Sequence, residues 1–431
     1  MHDSRPGRRV AIVAGLRTPF VKSGTVFRDV SATALARHAA RELLMRTELD
    51  GREVDEVVFG QVVPSVRVPN VAREVSLLPQ LLPSVPAYSL NRACASAAQA
   101  ITNAADQIEL GHADTVLAGG VETLSDIPVL HSRRFSQILV EAGKAKTLGS
   151  RLGALARTRP RDLVPVTPAV AEPSTGETMG QSAEKMAKEN GITREAQDSF
   201  ALMSHQRAAA ATADGRLAAE IAPWFGGPDM GQITAADNGI RSDASLEALA
   251  QLRPVFDRRY GSVTAGNASP LTDGAAAVLL MAEEKAAALG YEPLAFVRSY
   301  AVAAVDPNWQ LLMGPVYAVP RALERAGIAW SDLGLVEIHE AFAAQVLSNV
   351  QAWGSAAWAE RLGLAGPVGE VDWEHTNVMG GSIAIGHPFG ATGARLVTTL
   401  ANEMRRRDVQ FGLISICAQG GMGAALVLER T

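Results

Sequence analysis

The feature that most constrains the fold is an alternation of two kinds of segment. The runs "RRVAIVAGL", "VDEVVFGQVV" and "ADTVLAGG" are short, apolar and rich in β-branched residues, whereas "SATALARHAARELLMRTEL" and "ASAAQAITNAADQIEL" carry apolar residues at helical spacing. Strands that alternate with helices typically form a largely parallel sheet covered on both faces. The pattern therefore predicts an α/β protein, and 431 residues are enough for two or three packed units.

The C-terminal part repeats the order of the N-terminal part. "RAGIAWSDLGLVEIHEAF" has the same succession of helix end, aspartate turn and apolar strand as "RTELDGREVDEVVFGQVV", and "GARLVTTLANEMRRRDVQFGLISIC" has the same succession of helix and strand as "ASAAQAITNAADQIELGHADTVLAGG". We therefore predict a duplicated α/β unit. Residues 126–249 interrupt the alternation, and we interpret them as an insertion with helices of its own, one of them in "TREAQDSFALMSHQRAAAATA".

Composition excludes several classes of protein. The formal charge of −5 lacks the basic balance of nucleic-acid binders, so no nucleic-acid partner is predicted. Two cysteines in the whole chain do not make a disulfide framework and fit a reducing compartment. The apolar run near the N-terminus spans only about seven residues, which is short for a signal peptide, and no uncharged stretch is long enough to span a membrane. We predict a cytoplasmic protein.

Four candidate reactive residues lie where strands end or glycine-rich loops begin. Cys94 precedes a helix, so we expect its sulfur near the positive end of the helix dipole, which lowers the pKa of a thiol. His339 follows the strand "GLVEI", His387 lies in "GGSIAIGHPFGATG", and Cys417 ends the strand "FGLISI". Strand ends are where open α/β sheets bind ligands. His205 lies within a polar helix and is predicted to face solvent, and no group of residues has metal-ligand spacing, so no metal is predicted.

Two thiols and a histidine suit covalent acyl transfer coupled to carbon–carbon bond making or breaking. A thiolate is the nucleophile and needs a base to take its proton. A second thiol can protonate a carbanion that departs. Glycine-rich turns leave backbone N–H groups free to stabilise an oxyanion.

Four blocks of the sequence, "NRACASAAQAI", "HEAFAAQVL", "GGSIAIGHPFGATGARL" and "CAQGGMGAALVLE", resemble the signature blocks of the thiolase family, as do "GLRTPF" and "VTAGNASPLTDGAAA". The resemblance covers essentially the whole chain. His339, where most thiolases carry asparagine, and the segment "RTRPRDLVPVTPAVAEPSTGETMG" are similar to the thiolase (beta) subunit of fatty-acid oxidation multienzyme complexes.

The resemblance implies catalytic roles for the four candidates. Cys94 would be the acylated nucleophile and His387 the base that activates it. Cys417 would protonate the departing acetyl-CoA enolate and then deprotonate the incoming CoA thiol.

It also implies two oxyanion holes and a contact with CoA. His387, with a water held by His339, would stabilise the thioester oxygen, and the backbone amides of Cys94 and Gln419 would stabilise the tetrahedral intermediate. Gln419 stands where many relatives have glycine, although a main-chain donor does not depend on the side chain. Ser269 would contact the pantetheine arm of CoA.

The implied fold is the thiolase fold, in which two duplicated mixed-sheet halves form a five-layered arrangement with an inserted loop domain. By this resemblance, residues 1–125 and 250–290 form the N-terminal half, residues 126–249 the loop domain over the CoA site, and residues 291–431 the C-terminal half. A homodimer or tetramer is implied.

The implied activity is 3-ketoacyl-CoA thiolysis in fatty-acid β-oxidation, with CoA as co-substrate and no permanently bound cofactor. Two alternatives stay open. One is a biosynthetic acetoacetyl-CoA thiolase, which uses the same residues, and the other is a non-catalytic protein that binds acyl-CoA on a thiolase-like scaffold. The intact set of Cys94, His339, His387 and Cys417 argues against the latter.

The insertion carries a basic segment at residues 131–161. It contains eight Lys or Arg residues and one acidic residue, Glu141. Its apolar residues at roughly helical spacing predict an amphipathic basic hairpin; they are Ile138, Leu139, Leu148, Leu152 and Leu155. This segment is a candidate for peripheral membrane contact, or for docking a hydratase/dehydrogenase alpha subunit, with a solvated surface that attracts CoA phosphates as the simpler interpretation.

Overall fold

The structure, a computed structural model, describes residues 7–165, 171–226 and 231–430. In these ranges the strands are β1 (Val10–Arg17), β2 (Val21–Lys22), β3 (Glu56–Gly60), β4 (Ala87–Leu90), β5 (Thr115–Glu122), β6 (Trp224–Gly226), β7 (Gln232–Thr234), β8 (Thr272–Ala282), β9 (Ala295–Ala304), β10 (Leu335–Ile338), β11 (Phe411–Ala418) and β12 (Met422–Glu429). The helices are α1 (Ala32–Thr47), α2 (Val71–Ser76), α3 (Ser96–Glu109), α4 (Arg133–Lys144), α5 (Leu148–Leu155), α6 (Met179–Glu189), α7 (Arg194–Ala213), α8 (Arg216–Ala219), α9 (Leu246–Ala250), α10 (Glu283–Ala288), α11 (Gly314–Ala326), α12 (Ala343–Trp353), α13 (Ala356–Leu362), α14 (Ser382–Ile385) and α15 (Thr392–Arg407).

The order of strands in the main sheet confirms the predicted duplication. The order is β10-β11-β12-β9-β1-β8-β5-β3-β4. The two halves meet where β1 pairs with β9. Counted outward from there, each half has two antiparallel pairings followed by one parallel pairing, in β1-β8-β5-β3 and in β9-β12-β11-β10. A further parallel neighbour follows in each half: β4 beside β3, and a single bridge from Val336 to Thr376 beside β10.

The expectation of a largely parallel sheet is wrong, and the mixed sheet implied by the family resemblance is correct. β11 and β12 are joined by a tight turn and therefore pair antiparallel. β8 returns after the insertion and pairs antiparallel with both β1 and β5. Only two residues of β1, Ala11 and Ile12, pair with β9 and connect the halves.

Helices α3 and α15 form the middle layer. They share one apolar core with the inner faces of both halves of the sheet, while α1 and α11 belong to separate cores on the outer faces. The two middle helices approach closely at Gly393, where a Cβ atom would overlap the backbone nitrogen of Ala98. Since Cys94 precedes α3 and His387 precedes α15, this contact sets the distance between two candidate catalytic residues.

Residues 127–171 form a separate compact unit. Its helices α4 and α5 pack as a hairpin, as predicted. Arg157 and Glu141 form an ion pair of 2.8 Å, and Arg134 forms an ion pair with Asp162. Ile138 is buried, whereas Leu148 and Leu152 are 72% and 57% exposed.

The predicted boundaries of the two halves and of the loop domain stay predictions. Residues 166–170 of the proline-rich piece lie outside the described residues. In the part of the chain that the structure describes, no helix has both the length and the apolar character needed to cross a membrane.

Candidate active site

Cys94 lies in the turn between β4 and α3, as the sequence predicted. The turn is tight: the Ser96 hydroxyl accepts from the Arg92 N–H at 2.9 Å and donates to the Ala93 carbonyl at 2.6 Å. Ala93 has a φ of 45°, a left-handed conformation that is uncommon for a residue with a Cβ. The turn leaves Cys94 partly exposed directly before the N-terminus of α3.

His387 lies in the glycine-rich loop between α14 and α15. Gly386 just before it has a φ of 114°, and a Cβ atom there would lie 2.6 Å from Cγ2 of Thr272. Only glycine suits this combination of backbone conformation and close approach. The ring of His387 is buried, and its Nδ1 lies 2.6 Å from Oγ1 of Thr392, the first residue of α15.

His339 continues β10 by one residue, because its N–H donates to the Ser415 carbonyl of β11 at 2.8 Å. The side chain is completely buried. Its Nδ1 lies 2.9 Å from Oγ of Ser382, and the same oxygen accepts from Nη2 of Arg395 at 3.0 Å.

The structure brings Cys94, His339 and His387 together. One ring nitrogen of each histidine and the sulfur of Cys94 all lie within 4.8 Å of one another. The centroids of the two imidazole rings are 4.1 Å apart. The Nε2 atoms of both histidines are buried and have no hydrogen-bond partner among the described residues. This spacing would also suit a metal ion, which the sequence analysis missed because the three residues come from three separate segments.

Cys417 and the turn after it complete the site. Cys417 is buried in β11, and burial, followed by the proximity of the Cys94 thiol, raises its pKa well above the usual value. The backbone N–H groups of Cys94 and Gln419 lie close enough to the Cys94 sulfur to act against the rise in its pKa. The next N–H group, of Gly420, donates to the Glu172 carboxylate at 3.0 Å. Two amides thus lie near the sulfur, and the predicted oxyanion hole of Cys94 and Gln419 stays a prediction.

The thiol and the imidazole are both neutral at rest. Burial raises the pKa of Cys94 to about 11, although the two N–H donors act in the opposite direction. Burial, followed by the charge of Arg395, lowers the pKa of His387 to about 3. The expectation that the helix dipole lowers the Cys94 pKa is therefore wrong, because desolvation of the sulfur outweighs it. A neutral thiol needs a proton acceptor before it can act as a thiolate nucleophile.

Ser269 lies beside the His339 segment. Its N–H donates to the Ala341 carbonyl at 2.9 Å, and Ala268 bridges to Phe342. The side chain is partly exposed. The predicted contact with CoA stays a prediction.

The prediction that His205 faces solvent is wrong. His205 is 3% exposed, and its Nδ1 accepts from the Arg241 N–H at 3.2 Å. Burial, followed by the charge of Arg241, lowers its pKa to about 4. The mistake arose because polar neighbours do not show which face of a helix packs inward: Gln206 is exposed, whereas Ser204 is buried like His205.

Four residues that support the site were missed. Ser382, Thr392 and Arg395 contact the catalytic candidates directly or through one another. Glu122, at the end of β5, is buried and accepts from the backbone N–H groups of the loops on either side of it. The sequence did hold a clue to Thr392 and Arg395: they follow His387 in the block "GGSIAIGHPFGATGARL", and their spacing of one helical turn puts them on the same face of the helix.

Comparison with known proteins agrees with this geometry. Residues 10–284 match the family profile "Thiolase, N-terminal domain" and residues 291–430 match "Thiolase, C-terminal domain". The chain is 50% identical over 427 residues, 99% of this chain and 98% of the relative, to a "3-ketoacyl-CoA thiolase" of Escherichia coli (strain K12 / MC4100 / BW2952).

Solved structures share the fold over nearly the whole chain. The acetyl-CoA acetyltransferase of Bacillus anthracis superposes with a TM-score of 0.82 at 34% identity, covering 98% of this chain and 99% of that one. Human mitochondrial 3-ketoacyl-CoA thiolase in complex with CoA superposes with a TM-score of 0.81 at 33% identity, covering 98% of each chain. The duplicated halves, the convergence of Cys94 with two histidines and these matches lead to one conclusion: the chain belongs to the thiolase family and has the thiolase fold.

Proposed function

We propose that the protein is a 3-ketoacyl-CoA thiolase that cleaves 3-ketoacyl-CoA with CoA into acetyl-CoA and a shortened acyl-CoA. The proposal rests on the groups that surround the Cys94 sulfur. Nitrogens of two buried histidines lie within 4.8 Å of it, and the backbone N–H groups of Cys94 and Gln419 lie close to it. A nucleophile, a base and oxyanion donors therefore share one small space.

In the first half of the reaction, His387 takes the proton of Cys94 as the sulfur attacks the 3-keto carbon. The N–H groups of Cys94 and Gln419 stabilise the oxyanion that forms on the former keto oxygen. The bond between the second and third carbons then breaks, and its electron pair leaves with acetyl-CoA as an enolate. His339 and His387 stabilise the negative oxygen of that enolate, and Cys417 donates the proton that converts it to acetyl-CoA.

In the second half, the acyl group is transferred from Cys94 to CoA. Cys417, now a thiolate, takes the proton of the incoming CoA thiol. The CoA sulfur attacks the thioester carbon, and the bond to Cys94 breaks. The Cys94 thiolate regains its proton from His387, which restores the neutral resting pair. We propose that Ser269 holds the pantetheine arm of CoA.

Mass spectrometry and turnover together test this sequence. Incubation of the wild type with acetoacetyl-CoA should add an acetyl group to Cys94. Cys94→Ala should form no adduct and lose turnover. Cys417→Ala is the matched control: it should lose turnover yet still acquire an adduct from acetyl-CoA, because Cys94 and His387 remain in place and CoA can leave as its thiolate. Turnover by Cys94→Ala would contradict the mechanism.

Chain-length kinetics separate the degradative enzyme from the biosynthetic alternative. A relative at 50% identity is named 3-ketoacyl-CoA thiolase, whereas a structural neighbour at 34% identity is named acetyl-CoA acetyltransferase. We propose the degradative role, in fatty-acid β-oxidation, and expect thiolysis of long as well as short 3-ketoacyl-CoAs. Activity on acetoacetyl-CoA alone would favour the biosynthetic enzyme.

We propose a cytoplasmic location, which the low number of cysteines supports. Cell fractionation with an antibody against the native protein tests it. Recovery with a periplasmic or outer-membrane marker would contradict the proposal.

We also propose a homodimer that uses the β4 edge of the sheet. β4 is the last strand in the sheet order, and such an edge is open to pairing with another strand. Val66, in the loop that follows β3, the neighbour of β4 in the sheet, is 87% exposed. Val66→Lys should weaken self-association in sedimentation velocity, whereas Leu110→Lys, at a 69% exposed site at the end of α3, should not. Equal behaviour of the two variants would contradict this interface.

The hairpin of α4 and α5 supports a second interaction, with an anionic membrane surface. Leu148 and Leu152 are largely exposed, and Arg133, Lys144 and Lys146 have no carboxylate within 4.0 Å among the described residues. Exposed leucines beside unpaired cations are typical of helices that lie in a lipid interface.

Vesicle binding tests the membrane contact. Lys144→Gln/Lys146→Gln should weaken sedimentation with vesicles containing phosphatidylglycerol, whereas the control Arg28→Gln/Arg405→Gln should not. Equal binding of both variants would contradict the proposal. A hydratase/dehydrogenase subunit that is retained by the wild type but lost by the first variant, without any vesicle binding, would instead assign the hairpin to a protein partner.

A further inference from the structure

The two histidines of the site contact hydroxyl groups that differ in hydrogen-bond direction: one accepts from its ring and the other donates to it. Each ring uses Nδ1 to contact a hydroxyl, Thr392 for His387 and Ser382 for His339. A hydroxyl has a single hydrogen to donate, so its other partner decides whether it donates to the ring or accepts from it. Both rings are buried and desolvated, so each is neutral and carries one hydrogen, on either Nδ1 or Nε2.

For His387 the contacts favour a hydrogen on Nδ1. The hydroxyl of Thr392 lies 3.0 Å from the Pro388 carbonyl, to which it can donate, as a threonine in the first turn of a helix can. Its oxygen then accepts from the ring, across 2.6 Å. Nε2 of His387 is left with a free lone pair, which has no partner among the described residues.

For His339 the direction is reversed. Arg395 has only donors, and it donates to the Ser382 oxygen at 3.0 Å. The Ser382 hydrogen is then free to point to Nδ1 of His339, across 2.9 Å. Glu337 holds the other side of the guanidinium, with Nη1 of Arg395 3.4 Å from its carboxylate. Nε2 of His339 therefore carries the hydrogen and, like its counterpart, has no partner among the described residues.

We propose that Thr392 holds His387 in the Nδ1–H tautomer, while Ser382 and Arg395 hold His339 in the Nε2–H tautomer. The two adjacent rings then present a lone pair and an N–H donor to the same space above Cys94. Thr392, Ser382 and Arg395 are positioning residues, because they act through the histidines.

This division assigns different tasks to two rings that are 4.1 Å apart. His387 can accept the Cys94 proton, and His339 can donate to a negative oxygen from the start, without waiting for that proton. The catalytic meaning rests on the proposed thiolase function, whereas the tautomers themselves do not.

Nitrogen NMR of protein labelled with 15N-histidine tests the tautomers without substrate. The signals of His339 are those that vanish in His339→Asn, and those of His387 vanish in His387→Asn. In the wild type, we expect a directly bonded hydrogen on Nε2 of His339 and on Nδ1 of His387. The same tautomer on both rings would overturn the proposal, whatever the variants do. In Ser382→Ala, the Nδ1–H form of His339 should become populated, and an unchanged spectrum would refute the role of Ser382.

Two reactions of the enzyme separate positioning from a general structural effect. Ser382→Ala should lower kcat for thiolysis by on the order of tenfold, yet leave alkylation of Cys94 by iodoacetamide unchanged, because His387 is not affected. Thr392→Val should slow that alkylation by a similar factor. Ser182→Ala, which removes a buried hydroxyl without a partner among the described residues, is the control and should change neither rate.

The outcomes are distinguishable from failure of the proposed function. A wild type that cleaves no 3-ketoacyl-CoA would refute the function, whereas NMR and alkylation would still report on the two rings. Slower alkylation in Ser382→Ala, equal to that in Thr392→Val, would overturn the separate roles. Near-UV circular dichroism shows whether each variant is folded.

Discussion

Replacement of Glu122 by glutamine should change how stability depends on pH. Glu122 ends β5, and one carboxylate oxygen accepts from the N–H groups of Val62 and Gly390 at 3.0 and 3.1 Å, while the other accepts from Val63 at 3.1 Å. The side chain is completely buried. Burial raises its pKa to about 7, although the three N–H donors act in the opposite direction. The carboxylate therefore connects two loops of the site, but its ionised form lowers the free energy of unfolding.

The direction and size follow from proton linkage. The ordinary pKa of glutamate is 4.5, so between pH 4.5 and 7 the folded state holds the Glu122 proton more tightly than the unfolded state. Stability of the wild type relative to Glu122→Gln therefore falls as the pH rises through this window. A difference of 2.5 pKa units at 1.36 kcal/mol each gives a change of about 3 kcal/mol by pH 8. Titration of all other groups cancels in the comparison.

Urea unfolding of both proteins from pH 4.5 to 8 measures this difference. The control is Glu360→Gln, at an exposed site on α13, and its stability should run parallel to that of the wild type. Parallel curves for Glu122→Gln would refute the reasoning. Since an amide can serve only part of the three N–H groups, and Gly390 lies three residues after His387, we also expect kcat to fall on the order of tenfold.

Three further predictions concern the framework of the site. Gly393→Ala should lower the free energy of unfolding by about 1 to 3 kcal/mol, measured by urea denaturation, because the new methyl group overlaps the backbone of Ala98. His205 should contribute to the free energy of unfolding above pH 6.5, and this contribution should be lost as the pH falls to about 4. Because His205→Gln removes it, the free energy of unfolding of the wild type should fall by about 3 kcal/mol more than that of the variant over this range. Equal pH dependence of the two proteins would contradict the assignment. Arg17→Met should cost about 3 to 5 kcal/mol because it leaves the buried Asp237 carboxylate without its bidentate partner, and Asp237→Leu in the same chain should recover part of that loss.

Much of the fold could be predicted because local patterns agree with the tertiary structure. The strand-to-helix turn at Cys94 and the helix α1 lie where the apolar spacing indicated. The N-cap of α7 is Thr193, whose side chain accepts from the Ala196 N–H. These features depend on neighbours within a few residues along the chain. Strand direction does not, and for that reason alternation alone wrongly favoured a parallel sheet.

The candidate site divides in the same way. Cys94, His339, His387 and Cys417 could be chosen because each reactive side chain lies at a strand end or in a glycine-rich loop. Their protonation could not be predicted. The expected low pKa of Cys94 is reversed by burial, and the burial of His205 depends on which face of α7 packs inward.

The reactive groups, the positions of most helices and strands and the duplicated order of the chain can all be read from the amino-acid sequence. What those groups can do depends on how the chain folds around them. The fold brings residues from three distant segments within 4.8 Å, buries both imidazoles and part of Cys94, and surrounds the rings with Ser382, Thr392 and Arg395. Solvation and hydrogen-bond direction are properties of that shared space, because they depend on every group around an atom rather than on its neighbours in the chain.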